Sequence, residues 1–149
     1  MKIAVSACLL GHNVKYSGGN NRNEELIDLL KDHEVVFLCP ETAGGLGVPR
    51  DASERQADRV VSCTGKDVTA EYSRGTELCM QEIISEDVQL VILKARSPAC
   101  GKGRIYDGTF SHTLIERDGT LAEAVRAAGL PFFGEEEIAD IKAYLCHTV

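Results

Sequence analysis

Lys2-Ile3-Ala4-Val5-Ser6-Ala7-Cys8-Leu9-Leu10-Gly11 is the stretch whose reading decides the fold. A charge followed by an apolar run has the outline of a signal peptide. No small-residue cleavage site follows in Gly11-His12-Asn13-Val14-Lys15, and the run is too short for one. It reads instead as a buried first strand over Lys2 to Ala7, in a chain expected to be cytoplasmic. Two similar runs follow, Val35-Val36-Phe37-Leu38 and Leu90-Val91-Ile92-Leu93, and Leu130 to Phe133 makes a short fourth. Unbroken apolar runs of this length suit strands buried on both faces of a parallel sheet.

Helical patterns lie between these runs. Asn23 caps a predicted helix to about Lys31, with Leu26, Leu29 and Leu30 on one face. From Thr69 to about Ser85, Tyr72, Thr76, Cys79, Met80 and Ile83 form a helical stripe. Thr120 with Glu123 reads as a capping box opening a helix that ends at Gly129. Glu135-Glu136-Glu137 complements the positive end of a last helix, with Ile138, Ile141 and Leu145 facing inward. Val60-Val61-Ser62 reads as a short extra strand. Alternating strands and helices predict an α/β fold: a three-layer, doubly wound, flavodoxin-like parallel sheet. Two long irregular stretches, Pro40 to Glu54 and Ser97 to Asp118, fall at its C-terminal edge. No repeat or linker divides the chain, so residues 1–149 read as one domain.

Composition narrows the function. The chain has 149 residues, 44% hydrophobic and 26% charged, with a net charge of −7 and no Trp. That balance argues against a dedicated nucleic-acid binder, whose affinity comes largely from Lys and Arg. No apolar run is long enough for a membrane span. A small-molecule partner is the expectation.

Cys8, Cys39 and Cys100 each follow one of the first three core strands, shortly before Gly11, Pro40 and Gly101. In a parallel sheet those strand ends share one edge, where ligands bind. Convergence of three thiols suits zinc, with a fourth ligand or water, or an iron–sulfur cluster with one iron left open as a Lewis acid. A non-catalytic cluster-binding or redox-sensing module uses the same set. Cys79 belongs to the helical stripe and Cys146 to the last helix. Cys63 ends an apolar run and is a candidate fourth ligand. Glu41, two residues past Cys39, suits a general acid or base, and Ser97 a hydrogen bond to substrate or water. Lys15, Arg22, Arg50, Lys94, Arg96, Lys102 and Arg104 gather around the same loops and suit an anionic cluster or substrate.

Six motifs in order carry a family resemblance: Val5-Ser6-Ala7-Cys8-Leu9-Leu10-Gly11, Lys15-Tyr16-Ser17-Gly18, Cys39-Pro40-Glu41, Gly45-Leu46-Gly47-Val48-Pro49-Arg50, Asp67-Val68-Thr69, and Leu93-Lys94 with Ser97-Pro98-Ala99-Cys100-Gly101. The chain resembles the bacterial and archaeal family catalogued as domain of unknown function 523, whose characterised activity is thiouracil desulfidase. The resemblance implies a non-redox, hydrolytic removal of sulfur from a thiolated uracil compound. It implies a [4Fe–4S] cluster on Cys8, Cys39 and Cys100 with one open iron, an acid at Glu41 and a serine at Ser97. Ala99 stands where the family often has a second serine. Relatives acting on thiolated RNA carry an additional domain; none is seen here, so thiouracil, thiouridine or its monophosphate is the expected substrate. Lys15, Tyr16, Ser17, Arg50 and Lys102 are the expected substrate contacts.

Overall fold

The computed structural model describes residues 1–147. β1 spans Lys2–Ser6 and runs straight into a 3-10 turn at Ala7–Leu10, one residue earlier than the sequence pattern suggests. α1 covers Glu24–Leu30; the Asn23 side chain accepts from Leu26 N at 3.0 Å, and Glu24 and Glu25 favour its positive end. β2 is Glu34–Leu38. The stretch read as loop after it begins with a helical turn, α2, at Pro40–Ala43. Pro at the first helical position loses no hydrogen bond there and presets φ, so Cys39 stands at the N-cap. β3 (Ser53–Gln56) and β4 (Arg59–Ser62) form a separate antiparallel ribbon. α3 is Thr69–Ser85 and β5 is Leu90–Leu93, both as the sequence predicts.

The second irregular stretch contains two short strands, β6 (Ile105–Tyr106) and β7 (Leu114–Ile115), paired antiparallel. α4 covers Thr120–Ala127, β8 Phe132–Gly134 and α5 Ile138–His147. The capping box at the start of α4 is not formed. Gly119 is the N-cap, and the amides of Thr120, Leu121 and Ala122 donate to the carbonyls of Pro98 and Ala99. Those carbonyls satisfy the first-turn amides, so no side chain is needed. Glu123 turns away to Arg55 instead. The acidic run before α5 is likewise used elsewhere: Glu135 pairs with Lys94 and Glu137 with Lys102.

The main sheet is fully parallel in the order β2-β1-β5-β8. Helices cover both faces. Ala4, Val91 and Leu93 share one core cluster with Tyr72, Cys79 and Ile83 of α3 and Leu121 and Val125 of α4. Ile3, Val5, Leu90 and Ile92 share the other with Leu26 and Leu30 of α1 and Ile141 and Leu145 of α5. This is the two-faced burial that the apolar runs imply. β2 departs from it. It is an edge strand with one neighbour, and Val35 (37%) and Phe37 (56%) are exposed. Phe37 gains partial cover by stacking on His12 at 4.5 Å. Among the described residues no helix is long and apolar enough to cross a membrane.

Candidate active site

Beyond the C-terminal ends of β1, β2 and β5 opens a pocket of about 530 Å³. Its lining includes Cys8, Cys39, Cys100, Glu41 and Ser97, five residues brought from three separate loops. That volume is within the range of small-molecule sites.

Each thiol is set by its own local device. Cys8 lies in the 3-10 turn that ends at Gly11, whose φ of 95° is open to glycine without strain. The Cys8 carbonyl accepts from Asn21 N at 2.9 Å, tying the following loop back over the turn. Cys39 is fixed by α2. That helix lies backbone to backbone on α3: a Cβ on Gly75 would stand 1.7 Å from Pro40 O, and one on Gly44 1.9 Å from Glu71 O. Cys100 is held by Ser97, whose Oγ accepts from Ala99 N and Cys100 N, both at 3.1 Å. The same loop is clamped to α4 through Gly119, where a Cβ would meet Ala99 C at 2.5 Å.

All six cysteines are free thiols. Burial pushes the Cys8 thiol up, against a hydrogen bond from Asn21. Burial lifts Cys100 well above the ordinary thiol range, with Ser6 opposing and the charges of Cys8 and Cys39 adding to the rise. Thiols so buried stay protonated until a cation draws the proton off, and metal binding releases it. Three soft sulfur donors facing one cavity fit an iron–sulfur cluster. Among the described residues, no three His, Cys, Asp or Glu side chains close on a single-ion point.

Glu41 has two donors on one oxygen. Tyr72 Oη donates to Oε1 at 2.6 Å and Arg50 Nε at 3.3 Å. Arg50 also donates to Val14 O at 2.8 Å and Gly47 O at 3.1 Å, so it ties its own loop to α2 and to the loop after β1. Burial beside the Glu41 carboxylate pushes the Tyr72 phenol far above its usual value, keeping it a donor. Tyr72 reads in the sequence as one more residue of the α3 stripe. The signal was available, because a buried tyrosine hydroxyl has to find a partner.

Lys15, Tyr16 and Arg50 line the pocket; Ser17 and Lys102 do not. Lys102 is held by Glu137 at 3.1 Å and lies over the rings of Phe132 and Phe133. Cys63 is exposed in the turn after β4 and Cys146 is exposed on α5, and neither lines the pocket. Cys79 is buried against Cys39, and burial pushes its thiol up to about 12. Lys94 and Arg96 border the pocket, paired with Glu135 at 2.9 Å and Glu136 at 2.8 Å. Tyr106, Phe110 and His112 also reach it, from a stretch the sequence reads only as irregular.

The family model of 2-thiouracil desulfurase matches residues 3–137. The uncharacterised protein YbbK of Bacillus subtilis (strain 168) is 34% identical over 149 residues, spanning 93% of this chain and 99% of its own. The solved structure of TudS, a [4Fe-4S]-dependent thiouracil desulfidase, is similar with a TM-score of 0.91 and 38% identity, over 99% of each chain.

Proposed function

The chain belongs to the 2-thiouracil desulfurase family, and from that premise we propose that it is a [4Fe–4S]-dependent enzyme. It hydrolyses the C–S bond of a thiolated uracil: thiouracil, thiouridine or its monophosphate. Water adds at the thiocarbonyl carbon, and the products are the oxo base and sulfide. The observation that carries this reading is the common pocket of Cys8, Cys39, Cys100, Glu41 and Ser97.

Cys8, Cys39 and Cys100 would hold the cluster. When bound, it supplies a Lewis acid for sulfur at an iron without a protein ligand. The remaining work falls to the chain. Both donors to Glu41 act on Oε1 and neither on Oε2. Oε2 takes one proton from the attacking water and passes it to the departing sulfur; the second is released as the C–OH collapses to the oxo carbonyl, so sulfide leaves as HS⁻. Ser97 Oγ accepts from two amides, so its hydrogen is left to donate to substrate or water. Lys15 and Tyr16, on the pocket wall, contact the substrate. A reducing cytoplasm is the compartment that keeps six thiols free.

The test uses protein purified and reconstituted with iron and sulfide under anaerobic conditions. Incubated with 2-thiouracil, 4-thiouracil and 4-thiouridine, it should release sulfide in step with loss of the thione absorbance. Absence of sulfide from every thiolated pyrimidine, with the cluster intact, would overturn the assignment.

A further inference from the structure

The β6–β7 connection is built at more backbone cost than a surface loop needs. Phe110 (φ 58°) and His112 (φ 59°) both stand in the left-handed region, which bulky side chains seldom occupy. Such outliers persist only when their surroundings hold them. The segment that leads into Phe110 is held from several sides. Glu54, a buried carboxylate, accepts from Gly108 N at 2.9 Å and Phe110 N at 3.1 Å. Gln56 Nε2 donates to Gly108 O at 2.8 Å. Gly108 packs so closely on β3 that a Cβ would meet Arg55 O at 2.7 Å. Asp107 Oδ1 accepts from both the amide and the hydroxyl of Thr109.

The consequence of that bracing is aromatic. Phe110, His112 and Tyr106 all line the pocket that holds the three thiols, and Tyr106 meets His112 edge to face at 5.7 Å. Of the chain's four Phe, four Tyr and four His, one of each comes to this cavity from the same stretch, Tyr106 from the end of β6 and Phe110 and His112 from the connection that follows it. None is needed for the core: Phe110 and Tyr106 are only half-buried and His112 is exposed. Aromatic rings that face a cavity offer π-surface to a planar ligand, and stacking on a base is indifferent to its edge substituents.

We propose that the β6–β7 loop is a stacking clamp for the pyrimidine ring, with Phe110 as its principal platform and Tyr106 and His112 as its frame. This rests on the desulfurase reading and specifies how its substrate is recognised: by the aromatic face. Sulfur at position 2 or 4 is accepted equally by such a platform, whereas a ring without an aromatic face is not.

Two measurements on the cluster-loaded full chain test it. Phe110→Trp places one Trp in a chain that otherwise has none, and uracil, the oxo product, should quench its fluorescence saturably. Phe110→Ala and Phe110→Leu should each raise KM for 2-thiouracil by about tenfold or more, the scale of one lost base stack, with kcat little changed. Phe110→Tyr should restore it. Wild-type preference for 2-thiouracil over 5,6-dihydro-2-thiouracil, which has the same edge and no aromatic ring, should disappear in Phe110→Ala. An unquenched Trp, or an unaltered KM in both the Ala and Leu variants, would overturn the clamp while leaving desulfuration standing. Failure of the desulfurase reading has a different signature: no sulfide from the wild type, whatever uracil does to the Trp.

Discussion

Glu41 is the residue on which chemistry and architecture meet. Its Oε1 is tied by Tyr72 and Arg50, while among the described residues Oε2 has no such donor. Glu41→Gln keeps shape and hydrogen bonding but cannot exchange protons. Turnover should fall by about 10²–10⁴-fold, the usual contribution of general acid–base catalysis, with iron content retained. Near-normal turnover with an intact cluster would make Glu41 structural. Tyr72→Phe removes one donor from the same oxygen and should lower kcat by a smaller factor, at about 1 kcal/mol in stability. Calorimetry beside the activity assay separates those two effects. Glu41 was legible in the sequence because it follows a strand-end cysteine. Its partners were not. Arg50 reads as a substrate contact and Tyr72 as core, and only tertiary packing brings them to one carboxylate.

At the scale of elements, the crossing of α2 on α3 sets the site. Gly75 and Gly44 let the two backbones touch, and α2 carries Glu41 and has Cys39 as its N-cap. In an isolated helix Gly75→Ala would stabilise by up to about 1 kcal/mol. Here the new Cβ would stand 1.7 Å from Pro40 O, so the helices must part. Denaturant unfolding should show a loss of about 3 kcal/mol or more, with weakened cluster retention. A stabilised variant would contradict the crossing. The elements themselves were largely readable. α3 and β5 carry strong, unbroken patterns, and Asn23 caps α1 as its side chain dictates. The misreadings share a cause. β2 looks buried because its residues are apolar, yet edge position is decided by strand order. The capping box fails because a neighbouring loop reaches the α4 amides first. The β6–β7 hairpin escapes notice because its pairing strands are only two residues long.

Across the whole molecule, the loops at the strand ends are tied to the scaffold by charge. Asp118 accepts from Arg126 at 2.7 and 3.1 Å and from Gly103 N at 2.7 Å, joining the Cys100 loop to α4. The Arg126 guanidinium, chiefly, holds the Asp118 carboxyl below its ordinary value. A depressed carboxyl contributes stability that is present above its unfolded value, about 3.9, and is lost as pH falls through the folded one. Asp118→Asn should therefore cost about 1–2 kcal/mol at neutral pH, and the difference from wild type should shrink steadily as pH falls below about 4. A difference independent of pH would assign the effect to packing. The central claim is that three strand ends deliver three ligands to one cluster while the other three cysteines take no part. The measurement that tests it most directly is iron and acid-labile sulfide per chain, after anaerobic reconstitution, across single replacements of all six cysteines. Cys8→Ser, Cys39→Ser and Cys100→Ser should each lose the cluster and the sulfide-releasing activity. Cys63→Ser, Cys146→Ser and Cys79→Ala should each keep about four irons and four sulfides, the content of a [4Fe–4S] centre. Loss of iron in Cys63→Ser, or its retention in any of the strand-end variants, would contradict the account.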